Sequence, residues 1–539
     1  MAASRSESRP LWTLAAVCVP LFAVCVNTTS INTALPAIAQ DFHSTQAGLQ
    51  WVVNAYVLAA AAFVVTCGDL GDIYGRRRVF VYGIVVYALA SLVIAASTGP
   101  AMLIAGRALQ GLGSAVIVPV SLSIIGVSFA PERRAGAIGI WAAIVGLGFA
   151  LGPLIGGFLT DALSWQWVFW LNLPVSAAAI VFVFARVAES RDEARKLSID
   201  VPGVVLLGLG AFALVLALNE GRGSGWTSPF VLGLFGAAAV LLVTFRLIEP
   251  RRPSPLVTFA FFGRPAFLAA NLGTFVVTFV LFAVFYVYNL YLQNDLLFDY
   301  SAVKSGAALL PLSMALFAVS LVVGRLVLRF GVRGPVTVGF LAMALGLYLV
   351  SMVDVGSTYA DLWPGFLIAG VGTGLVNGPT SAAAVSAVPE DRAGEASGVV
   401  NMARYLGGAF GVAVTAVVYG GVGVSKLNDH LGADRVTAAQ ERQLDQLLSG
   451  DPTGLNHALA GFSPAQAADF KAAAKLSVVD AFAAANRVMI VAALIGAVSA
   501  AVLLRVRHPA HHQLWHRAAA PSTIHTVAPG PEPAGVRSP

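Results

Sequence analysis

Charge is what this chain has least of. Asp, Glu, Lys and Arg make up 11% of its 539 residues, less than half the share found in soluble domains. Together with 58% hydrophobic residues and a mean hydropathy of +0.80, that excludes an ordinary globular protein. Cysteine is almost absent as well. Cys18, Cys25 and Cys67 all lie in apolar runs with neither CxxC spacing nor histidine neighbours, so disulfide and metal chemistry are not expected. No GxxxxGK[ST] loop offers ATP coupling, and no His–carboxylate or Cys–His set converges, so an enzyme is not expected and no cofactor is implied. Carboxylates are missing from the interior of every apolar run. Asp161, Glu220, Asp354 and Asp361 stand near run ends.

What remains is a series of about fourteen apolar segments, each long enough to cross roughly 30 Å of hydrocarbon as a helix. The first, Leu11–Leu35, follows Arg5 and Arg9 and is too long for the core of a secretory signal. Arginines cluster in alternate connections: 76–78, 133–134, 186–196, 246–264, 325–333 and 392. The other short connections hold little beyond Arg222 and Lys304. Positive charge marks the cytoplasmic side, which places both termini there. The net charge of +6 therefore reports topology and not nucleic-acid binding.

Two motifs recur. GDLGDIYG at 68–75 and GRLVLRFG at 324–331 share the frame GxLxxxxG, and PERRAG at 131–136 returns as PEDRAG at 389–394. Conserved spacing across intervening spans predicts two pseudo-symmetric six-helix bundles with two inserted helices. The expected organisation is a cytoplasmic N-terminus (1–10), an N-terminal bundle (11–187), cytoplasmic linkers with inserted spans seven and eight (188–264), and a C-terminal bundle (265–505). The last contains an outer loop at 424–480, in which Ser463–Pro464 predicts the start of a short amphipathic helix. A Pro-, Ala-, Ser- and His-rich tail (506–539) reads as disordered.

The charged motif is GDLGDIYGRRR. Gly68 and Gly75 permit tight turns, Asp72 stands where a carboxylate can accept from exposed helix amides, and Asp69, Arg76 and Arg77 supply opposite charges at a membrane boundary. The spacing reads as a short loop clamping two helices. In the fourth span Arg107 sits in an apolar run, where a cation costs at least about 2.5 kcal/mol, so it needs a wet cavity or a polar partner. Gln110, Ser114 and Ser121 extend its face. A coupling role and a hydrogen-bonded strut both fit Arg107 and Gln110. In the fifth span Gly148, Gly152 and Gly156 form a bare stripe, with Pro153 and Gly157 beside it, for close helix approach.

At these three places the chain resembles the major facilitator superfamily, in its fourteen-span drug:proton antiporter branch. WVVNAY (51–56), SWQWVFWLNLP (164–174) and LNEG (218–221) extend the resemblance over roughly residues 11–505. It implies a rocker-switch exporter of lipophilic or amphiphilic small molecules in the bacterial cell membrane, driven by proton entry, with the Gly-Pro-Gly-Gly helix characteristic of export. A monomer is the expected state, and a metabolite or lipid carrier of the same fold is the alternative. One departure stands out. The family's first helix commonly carries aspartate in D-x-T-x-x-N-x-A-L-P, where this chain has Asn27 in NTTSINTALP. Without that carboxylate the expected substrates are neutral, anionic or lipid-like rather than permanently cationic, and Asp161 and Glu220 become the candidate proton carriers. Asn27, Thr29, Asn32 and Thr33 on the first span, with Phe282, Phe285, Tyr286 and Asn289 on the ninth, are the expected substrate path.

Overall fold

The computed structural model describes residues 2–129, 131–191, 200–252, 255, 257–388, 393–431 and 463–504. Among these residues there are helices and no strands, as lipid requires of a backbone that must satisfy its own hydrogen bonds. The helices are α1 (Ala2–Phe42), α2 (Gln46–Tyr74), α3 (Arg76–Ala95), α4 (Pro100–Ser128), α5 (Pro131–Ala162), the pair α6 (Trp167–Trp170) and α7 (Asn172–Arg186), then α8 (Val201–Ser224) and α9 (Pro229–Ile248). The second series is α10 (Pro265–Leu292), the pair α11 (Ala302–Ala308) and α12 (Leu310–Phe330), α13 (Arg333–Ser351), α14 (Tyr359–Ser386), α15 (Ala393–Leu431) and α16 (Pro464–Leu503). Twelve helices among the described residues are long and apolar enough to cross a membrane. Helix α14, at 28 residues, and α2, whose described apolar stretch is Gly48–Val64, stand outside that twelve.

The internal repeat is visible in the packing. In the first half α1 packs on α5 and α7, α2 on α4, and α3 on α4 and α7. In the second half α10 packs on α15 and α16, α12 on α14, and α13 on α14 and α16. The two lists correspond helix for helix. The inserted pair α8 and α9 pack on each other, and α8 lies against α2 and α15, covering one lateral seam between the halves.

Four boundaries differ from the sequence reading. GDLGDIYG is not a loop: α2 continues to Tyr74, and the turn is Gly75 alone, at φ 108°. Its counterpart Gly331, at φ 72°, ends α12 in the same manner. Both need glycine because L side chains avoid that region. Ser463 does cap a helix, with Gln466 completing a capping box, but that helix is α16, 40 residues long, running straight into the last span. With α15 extending to Leu431, the outer connection is shorter than 424–480. At the N-terminus, residues 2–10 are the start of α1 and not a separate segment. Residues 506–539 lie outside the described residues.

The glycine stripe of α5 behaves as its spacing predicts, with α1 as the neighbour. A Cβ at Gly148 would collide with Cys25, at Gly152 with the Val26 carbonyl and Thr29, and at Gly156 with Ser30. Gly156→Val is therefore expected to force α5 off α1 and lower stability by roughly 1–3 kcal/mol. Gly233→Ala, on a face of α9 where an added Cβ meets nothing within 4 Å, is expected to raise stability slightly, by up to about 1 kcal/mol. Thermal unfolding of detergent-solubilised protein compares them, and equal midpoints would contradict the packing.

Candidate functional site

Two regions carry the polar residues of the membrane portion: a buried network in the first half, and the interface between the halves. The network centres on Arg107, which is 1% exposed. Its Nε donates to the Val52 carbonyl at 2.9 Å, and one terminal nitrogen donates to Asn27 Oδ1 at 3.0 Å and Gln110 Oε1 at 2.5 Å. The guanidinium also lies over the Tyr56 ring, 4.4 Å from its centroid. Gln110 passes the chain on, donating to Ser91 Oγ at 2.8 Å, which accepts from Asn172 at 3.2 Å as well. Asn27 donates to the Val168 carbonyl at 3.4 Å. Helices α1, α2, α3, α4, α6 and α7 are thereby tied through one cation. None of its described hydrogen-bond acceptors is a carboxylate, so its charge is met by amide and carbonyl dipoles and a π face.

This placement resolves Asn27. It is 1% exposed in this conformation, and its Oδ1 accepts from Arg107. The other path residues are buried as well. Thr29 bonds within α1 and to the Phe149 carbonyl of α5, and Asn32 and Thr33 donate to carbonyls of their own helix. On α10, Phe282, Phe285 and Tyr286 are buried, and Asn289 Oδ1 accepts from Ser305 at 2.9 Å.

Successive helices alternate direction, so the molecule has a strap end, carrying Gly75, and a latch end, carrying Asp161. At the latch end the halves are joined. Asp161, in the last turn of α5, accepts from the backbone N–H of Ala302 at 3.0 Å and of Val303 at 2.8 Å, at the start of α11. Gly157 leaves no room for a Cβ beside Ala302 and Val303, and Gly306 leaves none beside Pro153 and Leu154. Gln293, capping the end of α10, donates to the Thr33 carbonyl of α1 at 3.2 Å. Helix α5 is therefore two-sided: Gly148, Gly152 and Gly156 meet α1 in its own half, while Pro153 and Gly157 meet α11 in the other. Glu220 stands apart on α8, within 3.3 Å of Ser224.

At the strap end the first turn of α3 bonds to other parts of the first half. Arg76 Nε donates to Ser123 Oγ on α4 at 2.7 Å, and its backbone N–H to the Ser190 carbonyl at 2.9 Å. The Glu189 carboxylate accepts from the N–H groups of Arg77 at 3.1 Å and Arg78 at 3.2 Å, capping α3 where the helix dipole favours an anion. The side chains of Asp69 and Asp72 lie outside the described residues; Gly68 packs toward Pro119 of α4. Glu189 was not singled out in the sequence because it lies in a polar linker more than a hundred residues from Gly75.

Arg404 was also passed over, although the rule that marks Arg107, a cation inside an apolar run, marks it too. It lies in α15, partly exposed, and donates to Ser381 Oγ of α14 at 2.8 Å.

Arg107→Met would strand the Asn27 and Gln110 acceptors in a dry interior, each worth roughly 1–3 kcal/mol. A large drop in the thermal midpoint is expected. Asn27→Asp, which places a carboxylate against the same guanidinium, is expected to keep the fold. If both variants unfold at the wild-type temperature, the network does not tie the half together.

The comparisons agree with this architecture. The family model described as Major Facilitator Superfamily matches residues 17–412. The chain is 36% identical over 418 residues to the tetracenomycin C resistance and export protein of Streptomyces glaucescens, covering 77% of each chain. It is 34% identical to the puromycin resistance protein pur8 of Streptomyces alboniger, covering 79% of this chain and 84% of that one. Among solved structures, a bacterial homologue of the human lysosomal transporter Spinster, in an inward-facing and unoccupied conformation, aligns at TM-score 0.65 and 16% identity, covering 92% and 98%. With two halves packed alike around membrane-length helices and relatives that are resistance and export proteins, this chain belongs to the Major Facilitator Superfamily and is a multi-pass membrane transporter, not an enzyme.

Proposed function

We propose that this transporter exports drug-like or antibiotic small molecules by rocker-switch alternating access between its two halves, coupled to proton entry. The observation that carries the reading is the asymmetry of closure. The halves are bonded together at the latch end through Asp161, Gly157, Gly306 and Gln293, whereas the hydrogen bonds described for Arg76, Arg77 and Arg78 run to Ser123, Ser190 and Glu189 of the first half. By the positive-inside rule the arginine-rich strap end is cytoplasmic, along with both termini. The conformation is then sealed outside. Counting α2 and α14 as spans gives fourteen. The names of the relatives, which print resistance to or export of tetracenomycin C and puromycin, support an antibiotic cargo.

The same geometry suggests how protons and gating meet. A carboxylate accepting two backbone N–H bonds holds the start of α11. Protonation turns one of those acceptors into a donor and weakens the latch. A proton arriving from outside thus favours outward opening, which makes Asp161 a better candidate carrier than Glu220. The strap, with Gly75 as pivot and α3 capped by Glu189, moves as part of the first half.

Transport by purified protein in proteoliposomes, with an imposed pH gradient and cationic, neutral and anionic compounds, tests the function. Gradient-dependent accumulation on the outer side is expected, and transport indifferent to the gradient would refute proton coupling. Asp161→Ala is expected to shift the population at least about tenfold toward outward opening. Spin labels on Leu163 and Gly356, at the latch end in opposite halves, read this as a longer distance. An unchanged distance distribution would show that Asp161 is no latch.

A further inference from the structure

The charge balance of the membrane interior is one-sided. Arg107 is satisfied by its own half, but Arg404 is not. It stands eleven residues into α15, roughly 16 Å along the helix from its start. Its Nη2 donates to Ser381 Oγ at 2.8 Å, while Nε is buried with no hydrogen-bond partner. One turn before Ser381 on α14, Asn377 Oδ1 is likewise buried and unpartnered. The titratable groups that act on Arg404 are Tyr405 of its own helix and Cys25 of α1, in the other half. Neither is an anion at neutral pH. Helix α15 packs on α2 of the first half as well as on α14 of its own, which puts the arginine's helix at the seam between the halves. Among the described residues no carboxylate pairs with it: Asp161, Glu220, Asp354 and Asp361 lie at the latch end, and the side chains of Asp69, Asp72 and Glu395 are outside the described residues.

A cation left unpaired in a low-dielectric interior is costly, and an anion removes that cost on binding. An unmet N–H donor and an unmet carbonyl acceptor on residues that both bond Ser381 also fit an acid group flanked by a hydroxyl or amide better than a lone charge. We propose that Arg404, with Ser381 and Asn377, is the recognition site for the anionic group of the cargo, a carboxylate or phenolate on an amphiphilic ring system. The guanidinium donates to the anion, Asn377 accepts from a neighbouring donor, and the apolar body lies along the seam. This deepens the export reading and rests on it for the identity of the cargo, but the binding site itself can be tested without transport.

Fluorescein and rhodamine 6G share a xanthene core and carry opposite charge, which makes them suitable probes. Full-length protein in lipid nanodiscs, with empty nanodiscs subtracted, is titrated by fluorescence anisotropy. Wild type is expected to bind fluorescein at least about tenfold tighter than rhodamine 6G. Arg404→Gln is expected to lose at least about tenfold toward fluorescein and little toward rhodamine 6G, and Arg404→Lys to recover much of the loss, since it restores charge without the planar fork. Asn377→Asp keeps the arginine and the side-chain shape but supplies an internal anion. It should displace fluorescein as effectively as Arg404→Gln does, which keeps the test alive if that variant fails to fold. Equal affinity of wild type for the two dyes, equal loss of both in Arg404→Gln, or undiminished fluorescein binding in Asn377→Asp overturns the site. Charge-selective binding without movement of either dye in proteoliposomes supports the site and overturns only the export reading.

Discussion

A single buried cation organises the first half of this protein. In hydrocarbon, every polar group must find its partner inside the protein, and an arginine needs several partners at once. Arg107 meets that demand by collecting the Val52 carbonyl, Asn27, Gln110 and the Tyr56 ring. Gln110 and Ser91 then hold Asn172. Any motion that separated α1, α2, α3, α4 and α7 would strand these groups, which favours a half that keeps its shape. Rigid halves are the precondition for a rocking mechanism: two bodies that did not hold their shape could not transmit closure at one end into opening at the other.

Helix α5 packs on both halves. Its glycine stripe fits against α1, where deletion of side chains brings backbones into contact and gains dispersion that lipid tails could otherwise match. One residue further round, Gly157 and Pro153 present a second bare surface to α11, across the seam. The first contact lies within one half, and the second crosses between the halves. Asp161 closes it with two charge-assisted hydrogen bonds at the edge of the membrane, where water can compete for the same carboxylate. That balance suits a latch better than a buried ion pair would.

Against this background the asparagine at position 27 changes the electrostatics of the interior without changing its architecture. It still accepts from Arg107, so the scaffold survives, but no negative charge is placed there. The second arginine, Arg404, adds to the imbalance from the other half. Both features were open to reading from the chain, since a cation within an apolar run is visible by inspection. Which of the two is spoken for and which is left wanting a partner was not visible, because the acceptors of Arg107 lie 3, 55 and 80 residues away.

Composition, periodic apolar runs and arginine bias were enough to establish a helical membrane protein, its repeat and its family resemblance, because membrane insertion is governed by local hydropathy summed over about twenty residues. The close-packing role of Gly148, Gly152 and Gly156 was equally local. Other features depended on residues distant in sequence. Glu189 capping α3, Asp161 reaching α11, Gly306 matching Pro153 and the burial of Asn27 are contacts between segments that the chain order separates by up to about 150 residues. The turn at Gly75 belongs with them: nothing in a run of small and charged residues says whether a helix stops at Gly68 or continues to Tyr74. Local sequence decides which segments enter the bilayer, whereas tertiary packing decides which polar groups are satisfied there and which are left to bind something else.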